Sequence, residues 1–127
     1  MKIDVSNGEL VDKVTILSIK LNKFKSKEKL QNVRKEFDLL YQSMASIGIT
    51  EDTSEFQDLF KINLTLWEIE DQIRSKEARK EFDNEFIRLA RRVYFKNDKR
   101  TKIKRQINII THSSLIEEKE YVEYGEK

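Results

Sequence analysis

Residues 6–24, SNGELVDKVTILSIKLNKF, decide the fold class. Ser6 and Glu9 stand three apart ahead of an apolar series. That is the spacing of a capping box, in which the Ser6 oxygen takes the Glu9 amide and the Glu9 carboxylate reaches back to the Ser6 amide. Leu10, Val14, Leu17, Leu21 and Phe24 follow at intervals of 4, 3, 4 and 3. Such intervals make a heptad seam, coiled-coil-like, for packing one helix on another. They predict helix from Asn7 to Lys25. Ile16 and Ile19 stand off the seam near Asp12 and Lys23, either as lone surface residues or as the rim of a second helix contact.

The same periodicity continues outward. Ser26 is expected to cap a second helix with the seam Leu30, Val33, Phe37, Leu40, Met44 and Ile47, closed by Gly48 where a left-handed cap favours glycine. The short link predicts an antiparallel helical hairpin. Residues 49–53 read as a loop, with Thr53 or Ser54 capping a third helix. Its apolar positions, from Phe56 and Leu59 through Leu66, Trp67 and Ile69 to Ile73, cover more than half its circumference, which predicts burial from several sides and a central place. The pattern turns polar over residues 76–80. Phe82, Phe86, Leu89, Val93 and Tyr94 mark a fourth helix, Asn97-Asp98 a break, and Ile103, Ile107 and Ile110 a fifth. The expectation is all-α: a helical bundle of an antiparallel hairpin, a central third helix and two shorter C-terminal helices. It forms one domain over residues 1–127, with residues 113–127 as an acidic tail or short helix.

Composition agrees with this and removes many functions. The chain has 127 residues, 38% hydrophobic and 38% charged, with no Pro, no Cys, three Gly and one His. A chain of that size buries roughly two thirds of its unfolded surface and needs no disulfides. Without Cys, and with His112 alone, zinc fingers, cysteine nucleophiles, haem attachment and Ser-His-Asp chemistry drop out. Turn-rich sandwiches and glycine-loop nucleotide folds go with the missing Pro and Gly. No run reaches the roughly 18 apolar residues of a membrane span, and Met1 to Ser6 lacks a signal-peptide core. A cytoplasmic protein without membrane contact, metal or cofactor is expected.

Three features stand out. On a helical wheel Asn63, Glu70 and Arg74 fall within the apolar arc of the third helix. They form either a register-setting buried polar layer or the wall of a ligand pocket. Glu68, Glu70 and Asp71, with Glu117 and Glu120 in the tail, have the spacing of metal carboxylates but read as a solvated face. From Arg88 to Arg105 there are nine bases and one acid, so that segment carries +8 and the rest of the chain −6. Arg88, Arg91, Arg92 and Phe95 share one face, with Lys96 and Arg100 following. An aromatic among cations is the composition that stacks a base and grips phosphate. The alternative is pairing with the acidic tail (Glu117, Glu118, Glu120, Glu123, Glu126) or with a second subunit.

The segments Gly8 to Lys20, Asn32 to Glu36, Leu66 to Arg74, Phe86 to Asn108 and Glu117 to Tyr121 together resemble an uncharacterised family of small helical proteins associated with bacteria and their phages. The resemblance covers nearly the whole chain and implies no activity and no catalytic residue. Two expectations follow for function. One is a non-enzymatic helical interaction or assembly module, a homodimer because the third helix and the excess apolar positions of the first exceed what a monomer buries. The other is a binder of nucleic acid or a nucleotide-like phosphorylated ligand through residues 88–105.

Overall fold

The computed structural model describes residues 1–124. They form four helices, α1 (Asn7–Lys23), α2 (Lys27–Ser46), α3 (Ser54–Ala78) and α4 (Asn84–Ile110). There is no strand among the described residues, and no helix is long and apolar enough to cross a membrane.

Local chemistry sets most of the boundaries. The Ser6 oxygen accepts the Glu9 N–H at 3.1 Å, Ser26 accepts that of Lys29, and Asp83 that of Phe86. Each meets an amide the first helical turn leaves without a partner. The reciprocal half of the expected capping box is not made, because the Glu9 carboxylate turns to Lys104 instead. Gly48, at φ 86°, closes α2: its N–H donates to the Ala45 carbonyl and that of Ile49 to the Met44 carbonyl. Ile49 and Met44 are both buried in the core cluster, the apolar contact that accompanies this cap. Asp83 also ties α4 to α3. A hydrogen bond from Lys76, with the Phe86 amide, holds its carboxyl below the ordinary 3.8. What Asp83 adds to stability is therefore complete above its ordinary pKa and is lost as pH falls through the lowered one.

The ends of α3 and α4 repeat the cap of α2 without glycine. Lys80 and His112 sit at φ 58° and 54°, a conformation that costs an L-residue about 1–2 kcal/mol. Lys80→Gly is expected to stabilise the fold by about 0.5–1 kcal/mol after the entropy gained by the unfolded chain is deducted. A lower urea midpoint would contradict this.

Three expectations are corrected. The fourth and fifth helices are one helix of 27 residues running through Asn97-Asp98, about 40 Å long at 1.5 Å per residue. Tertiary partners occupy the side chains that would have capped a new helix. Asn97 accepts from Arg100 at 3.3 Å, and Asp98 accepts the Tyr121 and Tyr124 hydroxyls. Against that, the intrinsic penalty of Asn and Asp in a helix, below about 0.7 kcal/mol each, decides nothing.

Second, the central helix is α1, not α3. The backbone of α1 approaches all three other helices, whereas α2 approaches only α1. Third, Ile19 is not a surface residue but only 1% exposed, and Asp12 and Thr15 are buried with it. Gly8, Asp12, Thr15 and Ile19 make a second stripe at intervals of 4, 3 and 4 beside the seam. The apolar excess of α1, one ground for expecting a dimer, is thus taken up within the chain. Val11, Val14, Met44, Ile49, Phe56, Leu59 and Ile107 form the core around it. On α3, by contrast, Phe60, Ile62, Leu64, Trp67 and Ile73 are only half-buried.

Beyond His112 the chain is not helical. Residues 114–124 run back along α4, and Glu126 lies outside the described residues.

Candidate functional site

Because α4 is one helix, all nine bases of the run lie on a single rod, and they have different fates. Arg100 points inward. Its Nε donates to Asp12 Oδ1 at 2.9 Å and its Nη2 to Asp12 Oδ2, a two-pronged pair onto a carboxylate only 1% exposed. Asn63 adds a donor to Asp12 Oδ1 at 2.9 Å and another to Thr15 Oγ1 at 2.8 Å. The hydrogen bond to Asp12, opposed by burial and aided by the charges of Asp12, Glu9 and Glu70, holds the Arg100 guanidinium above its ordinary value.

One turn further on, Lys104 pairs with Glu9 at 2.7 Å and with Glu117 at 3.6 Å. Glu117 also takes the Ser6 hydroxyl. Asn108 accepts the buried Gly8 N–H at 2.6 Å. No buried side-chain nitrogen or oxygen among the described residues is without a partner.

A buried polar layer is therefore present, with a different membership from the one expected. Asn63 belongs to it, but Glu70 and Arg74 are exposed and make no pair with each other. The charges of the layer come from α1 and α4, as Asp12 and Arg100. A wheel of one helix cannot show this, because it ranks positions on that helix without knowing which neighbour supplies the counter-charge. The signal that was there is the Gly8–Asp12–Thr15–Ile19 stripe. Glu68, Glu70 and Asp71 are exposed, as a solvated face would be.

The remaining bases face outward. Arg88 pairs locally with Glu85, and Arg105 with Glu118 of the tail at 2.6 Å. Arg91, Arg92, Lys96, Lys99 and Lys102 have no carboxylate within 4 Å among the described residues. Arg91, Arg92, Lys99 and Lys102 are exposed, and Lys96 is half-buried. At 100° per residue Arg88, Arg91, Arg92, Phe95, Lys99 and Lys102 fall within a stripe about 100° wide and about 20 Å long. Lys99 and Lys102 escaped the sequence-based set because the expected break at Asn97-Asp98 would have put them out of register with Arg91 and Arg92. Arg100 was included there, yet Asp12 draws it to the opposite side.

The tail meets this face along one edge. Lys119 donates to Thr101 Oγ1 at 3.1 Å, and the Tyr121 hydroxyl to Asp98 at 3.2 Å. The Tyr124 ring stands edge-on to Tyr94 and Phe95, with centroids 5.0 and 5.2 Å away. The partial cover of α4 and the Asp98 carboxylate push the Tyr121 phenol up. Between tail and helix lies a cleft of about 250 Å³ lined by Phe95, Asp98, Lys99, Lys102, Tyr121, Glu123 and Tyr124. Of the nine bases, the described tail carboxylates neutralise only Lys104 and Arg105.

Residues 1–124 match a family of unknown function, DUF6165. No curated protein and no solved structure matches the chain.

Proposed function

Since the chain belongs to DUF6165, a family of unknown function, its activity must be sought on its own surface, and we propose that it is a non-enzymatic helical interaction module that presents the outer face of α4 to a phosphate-bearing polyanion. One observation carries this reading. Arg91, Arg92, Lys96, Lys99 and Lys102 lie unneutralised on one helix although an acidic segment runs directly beside them. Like charges held together on a rigid rod repel one another. Bound phosphate relieves that repulsion and releases the counterions condensed on the polyanion. The non-enzymatic part rests on the inward groups. Asp12, Asn63, Thr15 and Arg100 are tied to one another, which suits a fixed scaffold rather than proton transfer.

The test is charge reversal on the outer face, where folding is little affected. The double variant Arg91→Glu with Arg92→Glu should weaken binding of a labelled twelve-nucleotide strand alike for every sequence, and should lower the salt slope by about two units. Binding equal to that of the parent would refute the proposal.

A further inference from the structure

The cation stripe has an aromatic platform at its middle, and that platform is filled by the chain's own tail. Tyr94 and Phe95 stand with ring centroids 5.1 Å apart, and Tyr124 packs edge-on against both. The same tail lays Glu117 on Lys104 and Glu118 on Arg105. It thus brings to α4 the groups a nucleic-acid strand would bring: anionic oxygens for the cations and a flat ring for Phe95. It is also held lightly. Tyr121 and Tyr124 are 54% and 43% exposed, and beyond their rings the attachment is two hydroxyls on Asp98, one ammonium on Thr101 and partly exposed ion pairs.

We propose that the Tyr94–Phe95 pair, flanked by Lys99 and Lys102, is the stacking site for an unpaired base of single-stranded nucleic acid, and that Tyr124 holds this place while no strand is bound. This rests on the reading of α4 as the phosphate-binding face and narrows its ligand. A duplex keeps its bases stacked on one another and has no free ring to offer Phe95, whereas a single strand has one at every nucleotide. Glu123, the carboxylate that would oppose a phosphate in the cleft, belongs to the tail and leaves with it.

The experiment uses the full chain and two labelled probes, a twelve-nucleotide thymidine strand and an abasic strand of equal length. Tyr124→Ala should tighten binding of the thymidine strand by about 2- to 12-fold, the worth of an edge-on aromatic contact. Adding Phe95→Ala to that variant should weaken thymidine binding by about 5- to 150-fold and leave the abasic strand unchanged. Far-ultraviolet circular dichroism of each variant should match the parent. If Phe95→Ala affects both strands alike, there is no stacking site, and the cationic face stands without it. If Tyr124→Ala binds no tighter than the parent, the place-holding role is overturned. If parent and Tyr124→Ala bind neither strand at low salt, the phosphate-binding face itself fails and this proposal with it.

Discussion

Arg100→Met is expected to lower the stability of the fold by about 3 kcal/mol, the lower end of the range for breaking a buried ion pair. Methionine keeps the stem that packs between α1 and α4 and removes only the guanidinium. Asp12 is then left as a carboxylate 1% exposed, with Asn63 as its remaining side-chain donor. The lower end applies because the Arg100 side chain is itself 29% exposed, so that water reaches one side of the pair. Urea denaturation reads the effect directly. Glu70→Ala is the matched control: an exposed carboxylate beside the same guanidinium should change stability by less than about 1 kcal/mol. An unchanged midpoint for Arg100→Met would show that the Asp12 pair does not hold α1 against α4.

Gly8→Ala should cost about 2–4 kcal/mol, from overpacking together with loss of a buried hydrogen bond. The sign is the point of interest. Within a helix, alanine for glycine ordinarily stabilises by about 0.5–1 kcal/mol. At Gly8 an added Cβ would stand 2.4 Å from the Lys104 carbonyl oxygen and 3.0 Å from Asn108 Oδ1. The first of these is backbone and cannot rotate away. The two helices must separate, and the Gly8 N–H to Asn108 bond of 2.6 Å parts with them. A melting temperature raised by the substitution would mean that α1 and α4 are not in such close contact.

Both effects sit at the junction of α1 and α4, the part of the fold least visible in the amino-acid sequence. Signals confined to one segment were legible. Ser6 and Ser26 cap the helices they precede, Gly48 closes α2, and the polar stretch at residues 76–80 leads into the turn before α4. What failed depended on partners distant in the chain. Asn97-Asp98 has the composition of a break, but Arg100, Tyr121 and Tyr124 satisfy the two side chains and the helix continues. The width of the apolar arc on α3 argued for a central place. Yet α1, whose second stripe is partly polar and so scored as surface, is the helix packed on both sides. A polar residue facing another polar residue looks, in sequence, the same as one facing water.

The candidate face was partly legible for the same reason. Arg91 and Arg92 lie where the periodicity puts them, and Lys99 and Lys102 join them once the helix is continuous. Arg100, one position beyond Lys99, turns to Asp12, which composition alone cannot indicate. Phe95 keeps its position among the cations but not its freedom, because Tyr124 covers it.

The most direct test of the central claim is the salt dependence of single-strand binding by the full chain. Five outward cations, each meeting one phosphate, predict that log K falls against log salt with a slope of about −3.5. A slope near zero, or no binding at low salt, would contradict the assignment of α4 as a phosphate-binding face.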